Sequence, residues 1–282
     1  MMPSKMLYQE IPFLCILGST KKKVTVSKDS ITIQGTSYPS TKPSENDVLI
    51  EYATLSTDSD DDSATLFVTG SNFKIYNINI TNLATGSDQA AVAVSSRGKN
   101  NAFYACGIHG DQGTFYAHIG SLFVGRSYIE GSVDFVYGRT GNAWFQGCKL
   151  GATRYQGTIT AQGRQAPSDD GAFVFDKAKI VLGKNAGSGT KGSVYLGRPW
   201  GDYARVVFQN SNLGDMITPV GWQAYTISQS TRNVLLGEYS NTNAGGIRVL
   251  WAKTLSSPTD ISSILPKYKG WVDSAFIGAS FP

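Results

Sequence analysis

The sequence predicts an all-β fold, a single-stranded right-handed parallel β-helix in which short strands stack coil upon coil. Helical periodicity is scarce. Short runs rich in β-branched and aromatic residues, such as "KVTVS", "FKIYNINI" and "GAFVFDKAKIVLG", alternate with Gly, Asn and Ser along the whole chain. Several runs repeat one pattern, an aromatic residue followed by Ile or Leu and then by Gly. They lie at 104–110, 123–131, 145–151, 175–183 and 208–214.

This recurrence, at intervals of roughly 20–30 residues, is what separates a solenoid from other all-β folds. A β-sandwich explains the strands equally well but gives no reason for the spacing. We therefore expect one domain over residues 1–282, with the polar segments 56–63 and 183–193 inserted between coils. The Pro-punctuated stretch 245–282 is expected to lie along the solenoid as a tail.

Composition and charge exclude several classes of protein. The net charge of +4 is mild, so it tolerates an anionic substrate without indicating nucleic acid as a partner. No apolar stretch approaches the roughly 18 residues that span a bilayer, so no membrane partner is expected. The apolar run at 11–17 follows Gln9 and Glu10 and is not a clear signal peptide.

The common catalytic and metal motifs are missing. His109 and His118 are the only two histidines, and no serine stands in a GxSxG context. The sequence contains no phosphate-binding loop and no calcium-binding loop. Its three cysteines are not spaced as zinc ligands are. We therefore expect no cofactor and no metal, and the remaining option is carboxylate chemistry.

Asp134 is the most conspicuous carboxylate, because it lies among apolar and aromatic residues in "GSVDFVYGR". An ionised acid in such a context needs a cation or hydrogen-bond donors. Arg198 and Trp200, in "YLGRPWGDYAR", offer a guanidinium fork and a flat ring suited to a sugar acid. Gln112 precedes Asp134 by 22 residues, one coil, and Arg198 follows it by 64, close to three coils. The alternatives to a binding site are that Asp134 is a solvent-exposed cap of a turn and that Trp200 is a core residue.

These residues carry a resemblance to a known family. "GSVDFVYG" (131–138) and "YLGRPW" (195–200) resemble GxVDFIFG and LGRPW, the most specific signatures of the pectin methylesterases. The segment "AFYACGIHGDQGTFYAH" (102–118) resembles the family pattern FYxCxxxGYQDTLYxH. "ITAQGR" (159–164) and "VGWQAY" (220–225) continue the match in the same order.

The resemblance implies a parallel β-helix that removes methyl groups from pectin, a methyl-esterified polygalacturonate, outside the cell. It implies that Asp134 is the nucleophile, Arg198 its partner, and Gln112 a donor to the oxyanion. Trp200 and Tyr137 correspond to substrate-binding aromatic residues. We expect a secreted enzyme that acts as a monomer.

Two positions depart from the family pattern. Where the family has a second aspartate as general acid and base, this chain has Gly113, and Asp111 is the nearby acid that could replace it if alternate residues of a strand share a face. Where the family has an upstream glutamine, this chain has Ala90, and Gln89 stands one place early. Gln89 is expected to serve in the site only if a bulge restores its direction. The family's opening coil is also expected to be missing from this sequence.

Several functions remain open from the sequence alone. The first is a pectinesterase, active or impaired by Gly113. The second is an inactive relative that binds acidic cell-wall polysaccharide through Arg198 and the aromatic residues. A β-helix lyase or hydrolase and an unrelated structural solenoid are further alternatives.

Overall fold

The chain is built almost entirely from short strands. A computed structural model describes residues 13–16, 18–86 and 88–282. The strands in this part of the chain are β1 (Phe13–Ile16), β2 (Val24–Val26), β3 (Thr32–Gly35), β4 (Val48–Tyr52), β5 (Leu66–Val68), β6 (Lys74–Tyr76), β7 (Ile78–Asn82), β8 (Val94–Ser96), β9 (Asn101–Tyr104), β10 (Gly107–His109), β11 (Phe115–Ala117), β12 (Ser121–Gly125), β13 (Tyr128–Gly131), β14 (Val133–Gly138), β15 (Asn142–Gln146), β16 (Lys149–Ala152), β17 (Thr158–Gln162), β18 (Ala172–Asp176), β19 (Lys179–Leu182), β20 (Tyr195–Pro199), β21 (Arg205–Gln209), β22 (Leu235–Tyr239) and β23 (Lys253–Thr254).

Helical structure in the described residues is limited to single turns. The α-helical turn is α1 (Ile261–Ile264), and 3₁₀ turns cover Pro43–Glu45, Asp60–Ser63, Tyr268–Gly270 and Ser274–Phe276. The apolar run at 11–17, considered above as an export segment, falls partly outside the described residues, which include its backbone only at 13–16.

The strands form three parallel sheets, and this confirms the predicted β-helix. One sheet has ten strands in the order β1-β3-β6-β9-β12-β15-β18-β21-β22-β23. A second has six strands, β19-β16-β13-β10-β7-β4, and the third has seven, β2-β5-β8-β11-β14-β17-β20. From β2 to β21, successive strands of the chain visit the sheets in turn, so each circuit adds one rung to each sheet at a spacing of about 4.8 Å, and β22 and β23 then extend the ten-stranded sheet alone.

The repeated sequence pattern becomes ladders of like side chains inside the coil. Its aliphatic positions align across the six-stranded sheet, where Ile108, Ile129, Leu150 and Ile180 occupy successive strands in register. In the ten-stranded sheet Phe145, Phe175 and Phe208 stack at ring centroid distances of 4.4 and 4.5 Å. This continuous apolar column fills the interior of the solenoid.

The first two aromatic residues of the pattern do not belong to that column. In the register of the sheet, Phe103 and Val124 precede Phe145, while Tyr104 and Phe123 stand one residue away and face the outside of the sheet. A shift of one residue places a side chain on the opposite face of a strand. In these two coils the predicted aromatic positions were therefore one residue away from the positions that face the interior.

The C-terminal stretch covers the outer face of the ten-stranded sheet. Leu265, Val272 and Phe276 are buried there in one cluster with Tyr104 and Phe123. The Tyr104 hydroxyl accepts a hydrogen bond from the backbone N–H of Asp273 at 2.8 Å. This contact gives the outward-facing aromatic residues of that sheet a buried environment.

The acidic segment 56–63 differs from the predicted polar insertion. Its 3₁₀ turn Asp60–Ser63 has a capping box, in which the Ser59 side chain accepts from the backbone of the turn and the Asp62 side chain accepts from the Ser59 N–H. Asp61 is only 8% exposed, forms an ion pair with Arg97 and accepts a 2.5 Å hydrogen bond from Ser95. The turn is therefore fixed on the outer face of the seven-stranded sheet.

Candidate active site

A cleft of about 320 Å³ lies on the outer face of the seven-stranded sheet. Its lining combines carboxylates, amides and aromatic rings: Ser56, Asp60, Asp88, Gln89, Ala90, Gln112, Gly113, Asp134, Tyr137, Ala161, Trp200 and Tyr225. Larger grooves occur elsewhere on the molecule, one of about 590 Å³. Within the described residues, however, this cleft is the one that joins Asp134, Gln112 and Trp200.

Asp134 owes its direction to an irregularity in β14. The register between β14 and β17 shifts between Val133 and Val136, and Asp134 has a left-handed φ of +49°. Phe135 and Val136 are consecutive, yet both are in the core. Strict alternation would allow only one of them inside, so the bulge lets Asp134 and Tyr137 face the same cleft. A left-handed non-glycine residue costs about 1–3 kcal/mol, a strain typical of functional positions.

Arg198 holds the Asp134 carboxylate with a two-pronged contact. The guanidinium Nε donates to Oδ1 and Oδ2 at 3.0 and 3.1 Å, and Nη2 donates to Oδ2 at 2.6 Å. Burial lowers the pKa of Arg198, but its hydrogen bonds and attraction to Asp134 outweigh burial and raise that pKa overall. The Arg198 guanidinium also lies 4.6 Å from the ring centre of Tyr225. The two side chains are therefore fixed in position relative to each other.

Thr158 is a second partner of Asp134. Its hydroxyl donates to Asp134 Oδ1 at 2.5 Å and accepts from the Asp134 backbone N–H at 2.9 Å. The bulge leaves this N–H outside the regular ladder, and the hydroxyl satisfies it. Two residues, Thr158 on β17 and Arg198 on β20, thus orient the carboxylate of Asp134 on β14.

Arg198 is two coils from Asp134, and the estimate of three was wrong. Tyr137 pairs with Ala161, and Ala161 pairs with Arg198, so β17 alone lies between their strands. The coils here are longer than average because the insertion 183–193 lies between β19 and β20. The two rungs span about 10 Å, which the long arginine side chain partly bridges.

Aromatic rings form one wall of the cleft. Tyr137 stacks on Tyr116 with ring centres 4.3 Å apart, and Trp200 is 6.3 Å from Tyr137. The Arg139 guanidinium lies 4.1 Å from the Trp200 ring centre. A Cβ on Gly163, in the "ITAQGR" block, would approach the indole to 2.6 Å, so this glycine makes room for Trp200. Flat rings beside cations suit a chain of sugar acids.

Gln112 and Gly113 sit in the turn that leads into β11. The Gln112 carbonyl accepts from Ala91 N at 2.8 Å, and Gly113 N donates to the Val133 carbonyl at 3.0 Å. The Gln112 amide donates one N–H to the Asp88 carbonyl at 2.8 Å. Because an amide nitrogen has two N–H groups, a second donor remains for a ligand.

Asp111 faces away from this cleft. Its carboxylate accepts from Gly86 N at 3.2 Å and lines the neighbouring groove with Glu130 and Ser132. The expectation that it would share the face of position 113 was wrong, because residues 111–113 form a turn and not a strand. Alternation of faces applies only to extended chain.

Gln89 does line the cleft, although it stands one position before the family's glutamine. It lies in a bend before β8, so no strand alternation fixes its direction. The side chain is exposed and beside Ala90, which also lines the cleft. The structure thus brings together Asp134, Arg198, Gln112, Gln89, Tyr137 and Trp200 and leaves Asp111 outside.

Three residues of the site were missed by sequence reasoning. Thr158 directly precedes the family-like block "ITAQGR" (159–164), and Tyr225 is the last residue of the block "VGWQAY". Asp60 lies in the acidic segment that was interpreted as an insertion. Burial, followed by the negative charge of Asp61, raises the pKa of Asp60, while the Tyr137 hydroxyl and Arg139 act in the opposite direction.

The fold and the cleft together define the class of protein, a parallel β-helix with an arginine-paired carboxylate in an aromatic, cationic cleft. No helix in the described part of the chain is long and apolar enough to cross a membrane. A model of the Pectinesterase family matches residues 18–263. The chain belongs to the pectinesterase family.

Individual relatives agree with this assignment. The chain is 38% identical to a pectinesterase of Aspergillus niger over 228 residues, which cover 78% of this chain and 68% of that protein. The crystal structure of a pectin methylesterase from Aspergillus niger is similar, with a TM-score of 0.86, 31% identity, and coverage of 96% of this chain and 91% of that one. Pectin methylesterase from carrot is similar with a TM-score of 0.81 and 27% identity, over 92% and 85% of the two chains.

Proposed function

We propose that this protein hydrolyses the methyl esters of pectin, releasing methanol and leaving carboxylates on the polygalacturonate chain. The observation that carries the proposal is the Asp134 carboxylate, held by Arg198 at 2.6–3.1 Å and by Thr158 at 2.5 Å in an aromatic cleft. A carboxylate in a fixed position, with its charge partly compensated, is suited to attack a bound carbonyl carbon.

In the proposed reaction an Asp134 oxygen forms a bond to the ester carbonyl carbon. The resulting oxyanion accepts hydrogen bonds from the side-chain amides of Gln112 and Gln89, which line the same cleft. Cleavage of the bond to the methoxy oxygen releases methanol once that oxygen gains a proton. Water then hydrolyses the acyl-enzyme, which frees the galacturonate carboxylate and restores Asp134.

The surroundings of the cleft support an acidic polysaccharide as the substrate. Arg139 and Trp200 form a stacked cation and ring, and Tyr137 adds a second ring to the wall. The product is a polyanion, and the net charge of +4 does not repel it. We expect the protein to act outside the cell, where pectin occurs, as a monomer and without a cofactor.

The test is methanol release from highly methyl-esterified pectin by the purified chain. Asp134→Asn keeps the size of the side chain and removes the nucleophile, so kcat should fall by at least about 10⁴-fold. Pectin binding, measured by calorimetry, should remain within a few fold. Equal rates for the two proteins would overturn the role of Asp134.

One observation favours a second candidate, a non-catalytic pectin-binding protein. Position 113, where the family has its general acid, is a glycine with φ +68°, and an added Cβ would lie 3.2 Å from both the Ala90 Cβ and the Tyr137 ring. A side chain at this position would therefore require Ala90 and Tyr137 to move by a few tenths of an ångström. Tight pectin binding with no methanol release would favour this candidate over the esterase.

A further inference from the structure

The cleft contains a carboxyl group that the reaction above does not use. Asp60, the first residue of the turn Asp60–Ser63, lines the same cleft as Asp134 and Gly113. A volume of about 320 Å³ corresponds to roughly ten water molecules at about 30 Å³ each. Asp60 and Asp134 therefore both line one small cleft.

The position of Asp60 is fixed by its neighbours in the chain. Asp61 is anchored below the turn by Arg97 and Ser95, and the Ser63 hydroxyl donates to the Asp60 carbonyl at 2.8 Å. The turn is held on its buried side in this way, and Asp60 lines the cleft next to it. Rigid support of this kind is what a catalytic side chain requires.

Tyr137 connects Asp60 with the empty position at Gly113. A Cβ on Gly113 would lie 3.2 Å from Cε1 and 3.4 Å from Cζ of Tyr137, beside the phenol oxygen. That hydroxyl is buried and has no well-formed hydrogen bond in the described structure, although Asp60 is the charged group that acts on it most strongly. Position 113 and Asp60 therefore both lie near the hydroxyl end of the same ring.

The charges around Asp60 suit a proton donor. Burial and the charge of Asp61 raise its pKa, and the Tyr137 hydroxyl and the Arg139 guanidinium lower it by less. Burial, followed by the negative charges of Asp60 and Asp61, raises the pKa of Tyr116. Asp60 therefore keeps its proton to a higher pH than an exposed aspartate, as a general acid should.

We propose that Asp60, with the Tyr137 hydroxyl, is the general acid and base of this cleft and takes the place of the carboxylate missing at Gly113. The inference rests on the proposed esterase function. As the bond between the carbonyl carbon and the methoxy oxygen breaks, the Asp60 carboxyl gives its proton to that oxygen and methanol leaves. The Asp60 carboxylate then accepts a proton from the water that attacks the acyl-enzyme, and Asp134 is released.

The experiment compares two esters of the same pectin, methyl and 2,2,2-trifluoroethyl. Trifluoroethanol is a much stronger acid than methanol and leaves with little help from a proton donor. Asp60→Asn should lower kcat on the methyl ester by about 10²–10⁴-fold and on the trifluoroethyl ester by far less. Asp60→Glu should recover part of the activity. Asp58→Asn, an exposed acid of the same segment, is the matched control and should match the unmodified chain.

A compensating variant adds a second arm. In Asp60→Asn combined with Gly113→Asp, a carboxylate returns at position 113 beside the Tyr137 ring, and methyl ester hydrolysis should rise at least about tenfold above Asp60→Asn alone. Circular dichroism and thermal unfolding of each variant separate a loss of fold from a loss of chemistry.

The outcomes distinguish this inference from the proposed function. Hydrolysis of both esters by the unmodified chain, with Asp60→Asn equally active or equally impaired on both, would overturn the acid role and leave the esterase intact. Hydrolysis of the trifluoroethyl ester alone by the unmodified chain would mean a nucleophile without an acid, and would also overturn the role of Asp60. No hydrolysis of either ester would overturn both.

Discussion

Gly113→Asp restores the acid that the family pattern contains, and its effect on stability follows from the local backbone. Position 113 has φ +68°, a conformation that costs an L-residue about 1–2 kcal/mol relative to glycine. The new Cβ would lie 3.2 Å from Ala90 and from Tyr137, so these neighbours must move by a few tenths of an ångström. The two effects together predict a loss of about 1–3 kcal/mol in the free energy of unfolding.

The measurement is urea unfolding followed by tryptophan fluorescence. Gly113→Asn isolates the shape of the side chain from its charge, and Gly113→Ala isolates the left-handed backbone, which alanine tolerates less well than asparagine. We expect alanine to cost at least as much as asparagine. Aspartate should cost more than asparagine at neutral pH, because it adds a negative charge near Asp60, and the difference should vanish in acid.

Two results would refute this reasoning. An alanine variant as stable as the glycine protein would mean that the left-handed backbone and the close Cβ contacts carry no cost. An aspartate variant more stable than the asparagine variant at neutral pH would mean that the charge of Asp60 does not reach position 113.

Three further predictions concern the same cleft. Arg198→Lys keeps the charge but loses the fork on Asp134, so kcat/KM should fall by about 10–100-fold, as expected for one lost charge-assisted hydrogen bond; an unchanged value would show that charge alone suffices. Thr158→Val removes the donor to Asp134 Oδ1 and should lower kcat by about tenfold with little change in KM, measured by methanol release; an effect on KM alone would contradict a positioning role. Asp60→Asn should stabilise the fold at neutral pH. The raised pKa of Asp60 means that the folded state binds its proton more tightly than the unfolded state, so the unmodified protein loses stability as pH rises through that range. The difference in unfolding free energy between the two proteins should therefore grow from acid to neutral pH, and a constant difference would contradict the shift.

Much of the fold and part of the site were predictable from local sequence. The ladder of Ile108, Ile129, Leu150 and Ile180 was visible because a parallel coil places equivalent residues in register at a nearly constant interval. Asp134, Arg198 and Trp200 were identifiable because each lies in a short contiguous block whose chemistry is recognisable by itself. Residues within a contiguous motif can be recognised without knowing how the chain folds.

Other residues could not be assigned without that path. Asp111 was a possible replacement acid if strand alternation applied, but residues 111–113 form a turn and Asp111 lines another groove. Thr158 lies in no unusual sequence, and its role arises from the bulge that exposes the Asp134 N–H. Asp60 looked like part of a solvated acidic loop, since nothing local shows that Arg97 and Ser95 bury the neighbouring Asp61.

The sequence by itself determined the repeating architecture and the pectinesterase resemblance, including the glycine at position 113 where the family pattern has an aspartate. The tertiary structure decided which acids share the cleft, since Asp60 and Asp134 both line it and Asp111 lines another groove. The physical reason is that repeated apolar positions specify the coil, whereas the direction of a side chain depends on bulges, turns and insertions between coils. In a parallel solenoid these irregularities also decide which side chains of neighbouring coils come together. The local sequence does not show where the irregularities occur.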